Sequence, residues 1–368
     1  MKIVQILPPG ERADSSHSGA IFQVAINFNK SLSHFFGESL VLAQDILNID
    51  HNLPSYHFKP IRNLKLLQFA NLISLGFFPL HIGTFEILLT KIDTEDILII
   101  HNNPWLFNLV RRRYPDNRAI FFAHNDVIRA FSRRSKRKIL KGASLLLAIS
   151  EYIARQFTDL YEFEVLTLPN STSNEHGKEF VERDFVKRNV DIVYAGRISR
   201  EKGLHILLKA YSRSILRSMN LNFVVAGSET HNSDLISSRY AKRQIRRMNK
   251  LGISHVGRIT NEEVLDLLQN SRFAVIPSIW NEPFSLFALE ALRSGAIPIY
   301  FDGGGIVEAT GGKGIIVHSK TVLALRRVLD NEVTSGVSNP ESLCDYDLTE
   351  PGHSWEENAL KLFRYFYA

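Results

Sequence analysis

Two glutamates stand in the stretch Pro277-Ser278-Ile279-Trp280-Asn281-Glu282-Pro283-Phe284-Ser285-Leu286-Phe287-Ala288-Leu289-Glu290-Ala291, with seven residues between them. The apolar run Phe273-Ala274-Val275-Ile276 ahead of them reads as a buried strand. Phe284 to Arg293 carries helical apolar spacing, with Pro283 where a first turn accepts it. A loop that ends on a helix N-terminus aims free N–H groups and the positive end of the dipole at the space above Ser285 and Leu286, which favours an anion such as phosphate. Glu282 is expected at the rim of that space and Glu290 two turns down. Amides for phosphate and carboxylates for hydroxyls make a place for a phosphorylated, hydroxyl-rich ligand.

Other candidates are weaker by themselves. Gly196-Arg197-Ile198-Ser199-Arg200-Glu201-Lys202-Gly203 follows a strand and opens a helix, so a glycine turn, basic residues and a helix start form a second phosphate candidate, although a solvated loop reads the same. Ser18-Gly19 at an earlier helix start can bring backbone close to an anion, but no G-x-G-x-x-G accompanies it. His101-Asn102 and His124-Asn125-Asp126 lie at strand ends, where open α/β sheets bind ligands; a lone strand-end histidine is more often structural. Gly303-Gly304-Gly305 permits close backbone approach or a plain turn.

These residues are positioned by alternating strands and helices. Strands Lys2–Leu7, Ser39–Ala43, Asp96–Ile100, Arg118–Phe122, Ser144–Ile149 and Glu164–Leu168 alternate with helices Gly19–Phe36, Trp105–Arg113, Ile128–Leu140 and Glu151–Leu160. The pattern resumes with strands Asp191–Ala195, Phe223–Ala226, Ile253–Val256, Phe273–Ile276 and Ile297–Tyr300, and helices Leu204–Ile215, Glu262–Gln269 and Thr321–Leu329. Such alternation implies α/β units with parallel sheets covered on both faces. At 368 residues the chain exceeds one ordinary core. The expected division is an N-terminal domain over 1–172, a linker over 173–189, a second domain over 190–352, and a C-terminal helix over 353–368 that can pack back on the first.

The single cysteine, Cys344, excludes an intrachain disulfide and fits a reducing compartment, with a buried inert thiol expected. Met1–Leu7 is too short for a signal-peptide core, so the expected location is the cytoplasm. Leu64–Leu89 is apolar but broken by Gly76, Pro79, His81, Gly83 and Glu86, a poor spanning helix; with Lys59, Arg62 and Lys65 beside it, it is compatible with peripheral contact at the inner face of an anionic membrane. The net charge of +6 points to an acidic partner without choosing one. Basic runs at 111–113, 133–138 and 242–247 sit on expected helices, where a solvated face is the common reason, and no aromatic residues interleave with them as base stacking requires.

Taken together, Gly196 to Gly203, Glu282-Pro283-Phe284-Ser285-Leu286 and Glu290-Ala291 resemble the donor-binding domain of retaining glycosyltransferases of family 4, whose two glutamates have the same spacing. Phe122-Ala123-His124, Ala148-Ile149-Ser150 and Leu168-Pro169-Asn170 extend the resemblance in outline over the first half. It implies a GT-B fold of two Rossmann-like domains facing across a cleft, the first binding the acceptor and the second a nucleotide sugar, with no metal and no cofactor. By that resemblance Arg197 and Lys202 neutralise the leaving diphosphate, Glu282 contacts sugar hydroxyls and Glu290 the ribose. The amides of Phe284, Ser285 and Leu286 meet sugar or phosphate, and Gly196 belongs to the same binding set; Gly19 completes the cradle from the facing domain and His124 reaches the donor sugar. The implied activity is sugar transfer from a nucleotide sugar, UDP-linked in preference to GDP-linked, to a saccharide or lipid-linked acceptor in lipopolysaccharide or surface-polysaccharide synthesis. The chain departs from the pattern at Ser285, where Gly is usual, at Ser171 after Pro169-Asn170, and in a longer, glycine-poor N-terminal loop. Asp345-Tyr346-Asp347 imitates a metal-binding D-x-D but falls past the last sheet strand. The alternatives are a nucleotide-sugar epimerase of the same fold and, more remotely, a basic nucleic-acid-binding protein; scattered basic runs and the absence of a recognised binding module speak against the second.

Overall fold

The computed structural model describes residues 1–9, 11, 19–44, 55–60, 83–87, 91–127, 132–157, 163–172, 184–228, 235–349 and 351–367. The expected helix start at 128–131, residues 173–183 of the expected linker, and nearly all of the apolar stretch 64–89 lie outside them.

The chain divides into two compact units, 1–170 with 354–368, and 171–353. The first contains an eight-stranded sheet in the order β4-β3-β2-β1-β5-β6-β7-β8. Its strands are β1 (Ile3–Ile6), β2 (Ser39–Gln44), β3 (Ser55–Pro60), β4 (Gly83–Ile87), β5 (Ile97–His101), β6 (Arg118–Ala123), β7 (Leu145–Ala148) and β8 (Val165–Thr167). Val4 aligns with Leu40 on one side and Leu98 on the other. Every residue of β1 and β5 is buried, as parallel strands covered on both faces require. The sheet is not wholly parallel: β4 runs antiparallel to β3, with Phe58 opposite Phe85. That pair lies in a segment where apolar composition gave no alternation to read.

The second unit holds a six-stranded parallel sheet, order β11-β10-β9-β12-β13-β14. These are β9 (Val190–Ala195), β10 (Phe223–Ala226), β11 (Ser254–Gly257), β12 (Ser271–Ile276), β13 (Ile297–Phe301) and β14 (Ile315–Val317). Strand order reverses between β9 and β12, a topological switch point where doubly wound sheets bind ligands.

Four helices matter below: α1 (Ala20–Phe36) and α4 (Trp355–Tyr367) in the first unit, α2 (Leu204–Tyr211) and α3 (Leu286–Arg293) in the second. The sequence expectation ran the second of these to Ile215; it stops at Tyr211, and a separate 3-10 turn, Ile215–Ser218, follows with Ser214 as its cap. Helix α4 follows the second unit in sequence yet packs in the first. Trp355 meets Phe28 of α1 at 5.9 Å between ring centroids, Phe363 meets Phe36 at 5.4 Å, and Asn358 donates to the Pro169 carbonyl at 2.7 Å. Buried aromatics of this size each contribute about 1.5–3 kcal/mol, enough to hold a helix that propensity alone would leave marginal.

Residues 184–189, expected as linker, are packed into the second unit. Phe185 is buried, and the buried Arg188 guanidinium donates to the carbonyls of Leu268, Ser271 and Ser294. An arginine that caps three core carbonyls is a fixture of a fold, not a tether. Cys344 is exposed, not buried as expected, because it falls in a surface 3-10 turn, Pro340–Asp345. Lys136 corrects the reading of its basic run as a solvated face: its side chain is buried and its ammonium donates to the Gln156 carbonyl at 2.9 Å. Among the described residues no helix is long and apolar enough to cross a membrane.

Candidate functional site

Two loops of the second unit meet because their backbones lock. Gly203, at φ 70, heads α2, and a Cβ there would fall 1.7 Å from the Pro277 carbonyl oxygen. Ile279 N–H donates to the Glu201 carbonyl at 2.8 Å. The turn ahead of α2 is thereby pressed onto the end of β12, and Lys202 reaches Glu282. The Lys202 ammonium lies 2.7 and 3.0 Å from the two Glu282 oxygens, and the Ser278 hydroxyl donates to one of them. Lys202 also sits 5.8 Å from the centroid of the Trp280 ring.

Glu282 is therefore not at a rim. It is 5% exposed, and its backbone forms a parallel bridge with Gly304, with Gly305 N–H donating to the Glu282 carbonyl at 2.7 Å. A Cβ on Gly304, whose φ is 78, would come 2.1 Å from the Glu282 carbonyl oxygen. The close approach that the triple glycine permits is made to the chain's own backbone. Lys320, not singled out by the sequence, clamps the same loop by donating to the Ile279 carbonyl at 2.9 Å and to Asn281 Oδ1 at 2.8 Å. Burial lowers its pKa, with Asp302 and Glu282 opposing the shift. Nothing around His318-Ser319-Lys320 in the sequence signals this role; only the fold delivers the side chain there.

The helix after the loop begins later than its spacing suggests. Pro283 and Phe284 precede it, and Ser285 is its N-cap residue at φ 80, ψ 80, left-handed backbone that a side chain rarely adopts. The Ser285 hydroxyl makes no capping bond, so the free first-turn amides that start at Leu286 keep their donors for a ligand. Phe284 is buried against the His353 ring, 5.6 Å between centroids. Glu290, half-buried on α3, has its pKa pushed up to about 7 by burial, against a smaller opposing pull from Arg293. Arg293 itself donates to the hydroxyls of Thr172 and, at 3.4 Å, Ser171.

A small cavity is lined by Tyr194, Lys202, Ser278, Glu282, Ser285 and Phe287. Tyr194, buried in its lining, was not foreseen; its hydroxyl donates to the Arg197 carbonyl at 2.9 Å. This fixes the Gly196-Arg197 turn, where Gly196 N–H donates to the Ala226 carbonyl at 3.0 Å and a Cβ on Gly227 would fall 1.9 Å from the Gly196 carbonyl oxygen. The Arg197 side chain is half exposed and pairs with Glu201 at 3.6 Å. A screened pair of this kind exchanges readily for a ligand phosphate.

The remaining two sequence candidates, Gly19 and His124, belong to the first unit. Gly19 is the N-cap of α1, and a Cβ there would fall 2.0 Å from Glu11 Oε1. That carboxylate accepts from Phe22 N–H at 3.3 Å, so the anion at this helix start is supplied by the chain; burial raises its pKa, with the Phe22 and Ile21 amides opposing. His124 follows β6 and is buried against His101, 2.8 Å between ring nitrogens. Asp347 of the D-x-D imitation is spent on Lys313 and Thr349, whose hydrogen bonds hold its carboxyl well below the usual range. Among the described residues no three His, Cys, Asp or Glu side chains stand together as a metal site needs.

Two Rossmann-like α/β units, the second with a helix N-terminus, a Lys–Glu pair and a glycine turn at its switch point, define the GT-B class of fold. The UDP complex of the Anabaena protein HepE superposes on this chain with a TM-score of 0.63 at 15% identity, over 99% of this chain and 95% of that one. Residues 177–336, within the second unit, match the family described as Glycosyl transferases group 1. The chain is 25% identical to the lipopolysaccharide 1,2-N-acetylglucosaminetransferase of Salmonella typhimurium over 59% of this chain and 58% of that protein. It is 32% identical to the glycogen synthase of Mycobacterium tuberculosis over 38% of this chain and 34% of that protein. The matched regions thus span about a third to well over half of these relatives' length.

Proposed function

We propose that the protein is a retaining glycosyltransferase that moves a sugar from a nucleotide sugar, UDP-linked in preference to GDP-linked, to a saccharide or lipid-linked acceptor. The observation that carries this reading is the convergence on one small cavity of Lys202, Glu282 and Ser285, the last at the N-terminus of the helix that also bears Glu290. Arg197 and Lys202 stabilise the charge that builds on the leaving diphosphate, together with the first amides of α3; no bound metal or cofactor is required for that task. Glu290 accepts hydrogen bonds from the ribose hydroxyls, and Glu282, held by Lys202 and Ser278, orients the hydroxyls of the donor sugar. The acceptor oxygen attacks from the face the diphosphate leaves, through an oxocarbenium-like transition state, so that positioning and charge stabilisation carry the rate. Gly196 and Phe284 serve through their backbones.

The similarity to a lipopolysaccharide N-acetylglucosaminetransferase supports a role in lipopolysaccharide or other surface-polysaccharide synthesis. A cytoplasmic body with peripheral contact at the inner membrane face suits a lipid-linked acceptor.

A panel of radiolabelled UDP- and GDP-sugars with saccharide acceptors tests the reading, with the anomeric configuration of product read by NMR and each reaction repeated in chelator. Transfer with retention, unaffected by chelator, is expected; neither transfer nor donor hydrolysis across the panel would overturn it. Glu290→Ala weakens nucleotide binding and Glu282→Ala mainly lowers turnover, whereas unchanged kinetics in both would refute the site.

A further inference from the structure

A line of hydrogen bonds runs through the first unit from α1 to His124. Asn29 Nδ2 donates to the Ser39 carbonyl at 3.2 Å, and Asn29 Oδ1 accepts from the Ser39 hydroxyl at 2.6 Å and from Gln5 Nε2 at 3.2 Å. Gln5 Nε2 also donates to the Ala25 carbonyl at 3.1 Å. Gln5 Oε1 lies 3.1 Å from His101 Nε2, and His101 Nδ1 lies 2.8 Å from His124 Nε2. The two imidazoles lie edge to edge, 5.0 Å between centroids and 19° between planes. Gln5 and His101 are fully buried.

The proton order along this line follows from its far end. Backbone carbonyls only accept, so the Gln5 amide must turn its nitrogen to Ala25 and its oxygen to His101. His101 therefore carries its proton on Nε2, which leaves Nδ1 bare. A bare Nδ1 accepts, so His124 donates from Nε2 and its own Nδ1 is bare in turn. Burial keeps both rings neutral: it pushes His101 down to about 3 and, as the larger cause, His124 well below its ordinary value, with His101 adding to the shift. Asn102, at φ 50, accepts from the backbone N–H groups of His124 and Asn125 at 3.0 and 3.2 Å and so fixes the strand end that carries the ring. Among the described residues none donates to His124 Nδ1.

We propose that Gln5 and His101 are positioning residues that lock His124 as its Nε2–H tautomer, so that Nδ1 accepts a hydrogen bond from a hydroxyl of the sugar substrate. The identity of that ligand rests on the glycosyltransferase reading; the tautomer does not. A bare ring nitrogen welcomes a hydroxyl proton and repels a phosphate or carboxylate oxygen, so His124 selects a hydroxyl-bearing group and is no part of an anion cradle. The line explains why two fully buried polar side chains, Gln5 and His101, lie behind the His124 ring: each hands the same direction to the next.

The test is 15N-detected NMR on the full chain with labelled histidine, in the wild type, Gln5→Leu and His101→Phe. The wild type is expected to show a bare Nδ1 and a protonated Nε2 on His124. Gln5→Leu, which removes the directing acceptor, is expected to average the two tautomers and to lower kcat/KM about tenfold, a change of about 1.4 kcal/mol, with unfolding midpoints recorded beside it. A protonated Nδ1 on wild-type His124, or an unchanged tautomer in Gln5→Leu, would overturn the proposal even if His101→Phe fails to fold. Titration with UDP-glucose then reads the ligand. A shift at His124 Nδ1 supports the hydroxyl contact; binding seen at other histidines with His124 Nδ1 unmoved overturns it. No binding of UDP-glucose or of any sugar of the panel instead sinks the glycosyltransferase reading and leaves the tautomer result standing.

Discussion

Ser285→Gly is expected to stabilise the protein while removing a side chain from its candidate site. Ser285 holds φ 80 and ψ 80 as the residue before α3. Left-handed backbone costs a residue with a Cβ about 1–2 kcal/mol, and Ser285 recovers none of it through a capping bond. Glycine removes that cost but adds about 0.5–1 kcal/mol of chain entropy to the unfolded state. The net gain is about 0.5–1 kcal/mol, or about 1–4 °C in Tm for a unit of this size. Ser285→Ala is the control: it keeps the backbone cost, loses no hydrogen bond, and should match the wild type. Scanning calorimetry with urea unfolding reads all three proteins. If Ser285→Gly is no more stable than Ser285→Ala, the strain argument is wrong. The same substitution explains why glycine is the usual residue here in the family this stretch resembles, and it should widen the cavity lined by Lys202, Glu282 and Phe287.

Further expectations follow from the same geometry. Because the folded pKa of Glu290, about 7, lies above the ordinary carboxyl value, the folded protein binds the extra proton between the two, so stability falls as pH rises from about 4.5 to 7, by up to ~3 kcal/mol. Glu290→Gln should flatten that slope in urea titrations across this range and match the wild type at pH 4. Lys202→Met strands the buried Glu282 carboxylate and should cost about 3 kcal/mol; combining it with Glu282→Gln should restore most of the loss, and additive losses would refute the pairing. Gly304→Ala drives a Cβ to 2.1 Å from the Glu282 carbonyl oxygen and should destabilise by more than about 3 kcal/mol, whereas Gly312→Ala, with nothing within 4 Å of its Cβ, should cost only about 0.5–1 kcal/mol, its left-handed backbone less the chain entropy that alanine removes.

The strands were legible because their burial leaves a mark along the chain. Ile97-Leu98-Ile99-Ile100 can only be a strand covered on both faces, and it is. Helix ends were less legible: Pro283 and Phe284 fit a first turn by composition, but the bridge between Glu282 and Gly304 holds that segment extended and delays the helix to Leu286. The spacing of Glu282 and Glu290, the glycine turn at Gly196 and the basic residues of the following loop could all be read in order, and with them the kind of ligand they suit.

Which of these groups touch is another matter, since it depends on partners far along the chain. Lys202 neutralises Glu282 only because Gly203 seats its turn on Pro277, and Glu290 holds its proton toward neutral pH only because burial raises the cost of its charge. Lys320 at the loop 279–281, Arg188 under the sheet, and Gln5 and His101 behind His124 carry no local signature, because a hydrogen bond between distant residues costs the sequence nothing in periodicity or composition. The sequence by itself determined the two α/β units and the residue types of the site. The tertiary structure decided their charges, their backbone strain and the direction of their protons, because those are set by what burial and long-range contact place beside each group.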